Sequence, residues 1–181
     1  SDNARSDTIN ILHKELNLAI IDFVGHTISG NCISEIESKM DGVNVINFDL
    51  LDFVIDSIHG SNDEQLGFSY DNSIVSVYPA QELNEGDLMS ITIFYHGEPS
   101  QDDSGWGGFY WLGGYAFNLG VGFAAEPHNY GRAWYPCFDN FAERCTYEFN
   151  IKTADGKNAW CNGFLSNTEN LGGDTLISTW M

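Results

Sequence analysis

The chain has 181 residues, of which 26 are Asp or Glu and 7 are Lys or Arg, so its formal net charge at pH 7 is −19. Such a charge repels nucleic acid and anionic membrane surfaces. A composition that is 43% hydrophobic and 14% aromatic is typical of a globular protein, and no run of about 18 apolar residues could span a membrane. We therefore expect a single domain over residues 1–181, with no nucleic-acid partner and no membrane span.

Alternating apolar residues predict strands from the start of the chain. Residues 16–20 alternate with a period of two, and residues 27–36 continue in the same way. Within the second stretch, Gly30 and Asn31 form a dipeptide that is typical of a hairpin turn or a β-bulge. The pattern predicts strands here, with a break at that dipeptide.

The apolar pattern of residues 43–58 changes phase at Leu50-Leu51. A change of phase indicates two strands joined by a bulge or bend, because successive side chains of a strand point to opposite faces. A helix over residues 50–58 is the alternative, since four apolar residues there also fit one helical face.

Turn signals divide the rest of the chain into further short strands. Residues 66–70 and 73–78 are predicted to pair around Asp71-Asn72. The other predicted strands are residues 87–95, a hairpin of 146–153 with 159–165, and residues 175–181. The stretch 109–123 is aromatic and glycine-rich, and Gly113-Gly114 at its centre permits a close backbone approach or a bend. Short strands at about 8–12-residue spacing are typical of antiparallel sandwiches or barrels. The predicted fold class is therefore all-β.

Few residues are spaced for catalysis. The five histidines include no H-E-x-x-H pair, and none of the four cysteines forms a C-x-x-C pair. Cys137 could pair with His128 as a nucleophile, and a buried cysteine is the alternative. Disulfides and free thiols both remain open for the cysteines, which are Cys32, Cys137, Cys145 and Cys161. The sequence predicts no catalytic residue and no metal ligand in this chain.

Aromatic residues are concentrated between positions 106 and 134. A platform of exposed rings could stack on sugars, whereas aromatic strands more often contribute to a core. The residues concerned are Trp106, Tyr110, Trp111, Tyr115 and Trp134. One alternative for the function is therefore a carbohydrate- or protein-binding β-sandwich module.

The stretch from Gly131 to Asp139 reads G-R-A-W-Y-P-C-F-D, and we call it the signature loop. It resembles the R-x-x-[FW]-P-C-[FY]-D segment in the N-terminal domain of M1-family zinc aminopeptidases, a family that includes aminopeptidase N and leukotriene A4 hydrolase. Further segments resemble that domain in the same order along nearly the whole chain, namely residues 16–20, 48–58, 86–99, 146–150 and Asn162-Gly163.

The resemblance implies a saddle-like antiparallel β-sandwich that is not itself catalytic. The partner of such a domain is the catalytic domain of the same polypeptide, which binds zinc and cleaves a peptide substrate, so this chain would hold no cofactor. By position, Glu126 corresponds to the residue that anchors the substrate's α-amine, although the usual Thr-Gln before it is Ala124-Ala125 here. The resemblance gives a structural role to the signature loop through Arg132, Trp134, Pro136, Cys137 and Asp139.

Two further expectations concern the complete protein. An acidic, lysine-poor chain with four cysteines suits an exported protein, periplasmic or extracellular, although members of the M1 family also occur in the cytoplasm. A relative that has lost its zinc site and acts as a scaffold is a second alternative for the function.

Overall fold

A computed structural model describes residues 7–140 and 142–181. Within them the chain forms twelve strands and a one-turn 3-10 helix at Gly131–Ala133. The strands are β1 (Ile9–Asp22), β2 (Thr27–Ser38), β3 (Ile46–Asp49), β4 (Val54–His59), β5 (Gly67–Tyr70), β6 (Ile74–Tyr78), β7 (Leu88–Gly97), β8 (Gly107–Leu112), β9 (Tyr115–Gly122), β10 (Thr146–Thr153), β11 (Leu165–Gly172) and β12 (Thr175–Trp180). None of the described residues forms a helix long and apolar enough to cross a membrane.

The strands form three sheets. The largest has seven strands in the order β11-β12-β10-β1-β2-β7-β4, a second has the order β3-β6-β5, and β8 pairs with β9. All pairings between these strands are antiparallel except that of β1 with β10, which is parallel. Parallel neighbours need a long crossover, and most of the chain lies between these two strands. The predicted all-β fold with antiparallel sheets is confirmed, with this one parallel pair.

The core lies between the seven-stranded sheet and the β3-β6-β5 sheet. Strand β7 shows why the sequence folds this way, because Met89, Ile91, Ile93 and Tyr95 are buried while the residues between them are more exposed. Phe48 belongs to the same buried cluster, and it is contributed by β3 of the three-stranded sheet. Alternation along strands such as β7 thus buries one face of the seven-stranded sheet against the β3-β6-β5 sheet.

The chain bends between β3 and β4, as the change of phase at Leu50-Leu51 predicted. Asp52, in the connection between the two strands, has a φ of 55°, a left-handed conformation that changes the direction of the chain. Residues from Val54 onward pair with β7, so the alternative of a helix over residues 50–58 is wrong. Strands β5 and β6 pair around Asp71-Asn72, which confirms that prediction.

Gly30 does not interrupt its strand. Strand β2 is continuous, and the hairpin from β1 turns at residues 23–26 instead. Gly30 has a φ of 149°, and a Cβ at this position would lie 1.9 Å from the carbonyl oxygen of Asn17 on β1. The glycine therefore permits a close approach of two strands rather than a turn.

The predicted hairpin of residues 146–153 with 159–165 is wrong in its second half. Strand β10 lies between β1 and β12, and the partner of β12 at the edge of the sheet is β11. Strand β11 is not predicted from the sequence, because all eight of its residues are exposed and they show no alternation of apolar and polar residues.

Candidate functional site

The signature loop is joined to the end of β3 by main-chain hydrogen bonds. The N–H of Asp49 donates to the carbonyl of Cys137 at 2.8 Å, and the N–H of Cys137 donates back at 3.1 Å. The N–H of Asp139 donates to the Asp49 carboxylate at 2.9 Å. The ring of Phe138 packs against Phe48, with ring centroids 5.8 Å apart. The loop is thus held at both its main chain and its side chains.

A buried lysine supports the loop from within the core. Lys14 on β1 is 1% exposed, and its Nζ donates to the Pro136 carbonyl at 2.9 Å and to the Ser34 hydroxyl at 2.6 Å. Its ammonium group also lies 5.0 Å from the centre of the Phe48 ring. No motif marks Lys14 in the sequence, although it lies in phase with the buried Leu16 and would therefore be expected to face inward.

Arg132 and Asp139 form an ion pair across the loop, with 3.1 Å between Nη1 and Oδ2. The Asp139 carboxylate also accepts the N–H of Gly131 at 2.9 Å. Burial raises the pKa of Asp139, and this effect exceeds the opposing effects of Arg132 and of the main-chain hydrogen bonds. The Arg132 guanidinium also lies 5.2 Å from the centre of the Tyr130 ring. The pair fixes the shape of the loop around the 3-10 turn.

A cavity of about 470 Å³ lies beside this loop. Its lining includes Glu126, Arg132, Asp102 and Asp103, together with Asp49 at the end of β3. Four carboxylates and one guanidinium therefore line a single open cavity. Glu126 is exposed, and its peptide bond to Pro127 is cis. The surplus of negative charge makes the cavity suitable for a cationic group such as an ammonium.

Asp102 holds the segment that leads to Glu126. This carboxylate is 4% exposed and accepts the N–H of Ala124 at 2.9 Å and the N–H of Ala125 at 3.1 Å. It also accepts the N–H of Ser104 at 3.0 Å and the Ser104 hydroxyl. Burial acts to raise the pKa of Asp102, but these hydrogen bonds outweigh it, and the pKa is lowered overall. Asp102 thus ties the loop after β7 to the residues just before Glu126.

We expect Asp102→Asn to lower the melting temperature by roughly 5 °C at neutral pH. Both carboxylate oxygens accept hydrogen bonds, whereas an amide has one acceptor oxygen and would direct its NH₂ group at a main-chain N–H. Asp103→Asn is the matched control, because Asp103 is an exposed neighbour. Thermal melts followed by circular dichroism, with amide exchange at Ala125, provide the measurement.

The lowered pKa fixes how the effect of Asp102→Asn depends on pH. The contribution of Asp102 is present above its unfolded pKa of 3.8 and is lost as the pH falls through its lower folded value. The difference in melting temperature between the two proteins should therefore shrink below about pH 4. Equal melting temperatures for the Asp102 and Asp103 variants at pH 7 would contradict the proposed clamp.

The aromatic residues do not form one platform. Trp134 is half-buried beside Tyr135 and Phe149, and its carbonyl accepts the Tyr95 hydroxyl at 2.9 Å. Trp111 is also half-buried. The other three lie on or beside the β8–β9 hairpin, where Trp106 stacks on Phe123, Tyr110 stacks on Phe117, and Tyr115 is exposed.

The structure does not bring Cys137 and His128 together as a nucleophilic pair. His128 Nδ1 lies 2.8 Å from the Ala125 carbonyl, whereas Cys137 is buried in the loop. Burial raises the pKa of the Cys137 thiol well above its usual value, which disfavours a thiolate. The four cysteines are free thiols. Within residues 7–140 and 142–181, no three His, Cys, Asp or Glu side chains are grouped to hold a metal ion.

Solved structures of known proteins share this arrangement of strands. The M1 zinc metallopeptidase of Deinococcus radiodurans, in a mutant bound to a Tyr-Ser-Ala substrate, matches 96% of this chain with a TM-score of 0.83 and 19% identity. This chain has the fold of the M1 N-terminal domain. Yeast LTA4 hydrolase in complex with bestatin has the same fold over 96% of the chain, with a TM-score of 0.68 and 15% identity.

The match with the M1 N-terminal domain covers only part of each larger protein. The chain spans 39% of the Deinococcus structure and 26% of the yeast structure. No protein-family model matches the sequence, and no curated protein does. The likeness therefore lies in the fold and in the order of its strands.

Proposed function

We propose that this chain is the non-catalytic N-terminal domain of an M1-like zinc metallopeptidase, an aminopeptidase. The observation that carries the proposal is the M1 N-terminal fold over 96% of the chain. The partner in this proposal is a catalytic domain in the same polypeptide, since the solved structures extend well beyond the matched part. The domain would shape the cleft in which a peptide substrate binds.

Within this proposal, Glu126 receives the free α-amine of the peptide. Glu126 is exposed at the acidic cavity, and Asp102 holds the main chain just before it. A carboxylate that meets an ammonium group in a partly closed site makes a strong, charge-assisted contact. The surrounding carboxylates add a field that favours the positively charged end of a peptide over a blocked one.

The chemistry of the reaction would come from elsewhere in the polypeptide. A zinc ion in an M1-like catalytic domain would supply an activated water for attack on the first peptide bond. The described residues of this chain offer no group of ligands that fits such an ion, so none is assigned to it. Glu126 and the other residues of the acidic cavity would bind and orient the substrate.

We expect Glu126→Ala in the full-length gene product to raise KM about 10- to 100-fold for peptides with a free α-amine. The reason is the loss of a charge-assisted contact that only the ammonium group makes. N-acetylated peptides of the same sequence, measured as competitive inhibitors, should bind the variant and the parent protein equally well. Steady-state kinetics with both peptide sets provides the measurement.

Glu82→Ala is the matched control for this experiment, because Glu82 is an exposed glutamate outside the cavity. Equal losses for free and acetylated peptides would overturn the role of Glu126 while leaving the enzyme assignment standing. A full-length product that cleaves no free-amine peptide would overturn the enzyme assignment itself and favour the scaffold alternative.

A further inference from the structure

A second cavity, also of about 470 Å³, shares no lining residue with the first. It lies where the turn after β1, the connection from β3 to β4 and the segment after β7 meet strand β8. Its polar lining residues are His26, Asp52, Glu98, Ser100 and Gln101, and Phe109 and Trp111 add aromatic rings. The function proposed above does not involve this cavity.

The acidic side chains of this second cavity are Asp52 and Glu98, which lie beside the His26 ring. Asp52 and Glu98 are both exposed, and neither forms an ion pair within the described part of the chain. Its described lining residues include no Lys or Arg. Two carboxylates with no Lys or Arg among the lining residues leave a place for the positive charge of a ligand.

Aromatic rings form another wall of this cavity, opposite in character to the charged carboxylates. The His26 and Trp111 rings are stacked, with centroids 5.3 Å apart and planes 11° apart. Phe23 meets the Trp111 ring edge-on at 5.1 Å, and Phe109 lies 5.4 Å from it. The indole N–H of Trp111 is buried with no partner among the described residues, as is the Ser100 hydroxyl. The wall therefore offers apolar surface, with unsatisfied polar atoms behind it.

The main chain holds two of the lining residues in an uncommon conformation. His26 has a φ of 57° and Asp52 a φ of 55°, both in the left-handed region that favours glycine. The Asp22 carboxylate holds the first turn by accepting the N–H of Gly25 at 2.7 Å and the hydroxyl of Thr27 at 2.8 Å. The N–H of Asp52 donates to the Asn72 carbonyl at 3.0 Å. The cavity wall is thus built before any ligand arrives.

We propose that the second cavity binds a small organic cation, an ammonium or guanidinium group carried on an apolar stem. The carboxylates of Asp52 and Glu98 would pair with the charge, while Trp111 and Phe109 would pack against the stem. Gln101 supplies a neutral acceptor for a further N–H of the ligand. A metal ion fits less well, because the described residues, His26, Asp52 and Glu98 included, offer no group of three ligands placed to hold one. Stacking of a sugar on Trp111 is hindered because His26 covers one face of the ring.

The test compares benzylamine with benzyl alcohol, which has the same shape and no charge. Each is titrated into the full ¹⁵N-labelled chain, and the indole N–H resonance of Trp111 is followed after its assignment with Trp111→Phe. We expect a saturable shift with benzylamine and binding of benzyl alcohol that is at least about fivefold weaker, with the difference reduced in 0.5 M salt.

Asp52→Asn and Glu98→Gln should each weaken benzylamine binding about two- to fivefold, as expected for the loss of an exposed charge pair. Glu35→Gln, an exposed acid on β2, is the matched control and should leave the affinity unchanged. Unshifted amide resonances elsewhere in the spectrum will confirm that the variants fold. Equal binding of the amine and the alcohol, or an undiminished amine affinity in both cavity variants, would overturn the proposal. Loss of Glu126 leaves this result unaffected, so the two proposals fail separately.

Discussion

Asp139→Ala is expected to lower the free energy of unfolding by about 3–5 kcal/mol. The substitution leaves the Arg132 guanidinium half-buried without its carboxylate and deprives the N–H of Gly131 of its acceptor. Removing one partner of a buried pair costs more than the pair contributes, because the remaining charge stays desolvated. Urea denaturation followed by circular dichroism measures the change, and the slope of the transition tests whether unfolding remains two-state.

Asp56→Ala is the control for Asp139→Ala, since Asp56 pairs with His96 at 3.0 Å on the surface, with 48% of the Asp56 side chain exposed. Exposed pairs contribute at most about 1 kcal/mol, so this variant should stay close to the parent protein. Similar losses for Asp56→Ala and Asp139→Ala would mean that the Arg132–Asp139 pair does not hold the loop.

The pH dependence gives a second check on Asp139. Its folded pKa lies above the unfolded value of 3.8, so the carboxyl stabilises the folded state most below pH 3.8, and this contribution is lost as the pH rises through the folded pKa. Asp139→Asn removes the titration and keeps the shape. The stability of the parent protein relative to this variant should therefore increase as the pH falls, and a decrease would contradict the raised pKa.

Lys14→Met is expected to lower the free energy of unfolding by about 2–4 kcal/mol. The thioether keeps most of the volume, but the Pro136 carbonyl and the Ser34 hydroxyl lose their buried donor. The variant no longer has to desolvate an ammonium group on folding, and this gain offsets part of the lost stability. The unsatisfied acceptors dominate because only one side of the contact is removed. Urea denaturation measures the change, and amide exchange at Cys137 reports on the loop.

A double variant separates these effects at Lys14. Lys14→Met with Ser34→Ala removes one of the two acceptors that Lys14→Met leaves without a donor. The double variant should therefore recover about 1 kcal/mol of unfolding free energy relative to Lys14→Met alone. Lys152→Met on β10 is the control, because Lys152 is a partly exposed lysine, and its change should stay within about 0.5 kcal/mol. A Lys14→Met protein more stable than the parent would show that the cost of burying the ammonium group exceeds its hydrogen bonds.

Much of the fold can be predicted from local patterns in the sequence. Residues 146–153 were predicted as a strand with the bounds that β10 has, and the strand predicted at residues 87–95 corresponds to β7. Both succeed because one face of each strand is buried, so alternation is visible in the sequence itself. The ordered resemblance to the M1 N-terminal domain likewise rests on short segments that the chain carries in sequence, and the solved structures confirm the fold that it implied.

The candidate site could be predicted only in part. The signature loop and Glu126 are visible as a motif, but the contact of Asp102 with Ala124 and Ala125 joins residues more than twenty positions apart. Nothing in the local sequence indicates which of 26 acidic residues makes such a contact. Lys14 is a similar case, since its phase predicts that it faces inward but not that Pro136 lies above it.

The sequence by itself thus determined the all-β class, most of the strands and the family that the chain resembles, because these depend on interactions between residues close together in the chain. The tertiary structure alone decided the parallel pairing of β1 with β10, the exposed edge strand β11 and the two acidic cavities. These features depend on which distant segments meet as the core forms. Burial and long-range hydrogen bonds determine which segments pair. Alternation within a single strand shows that one face is buried, but it does not indicate which strand lies beside it.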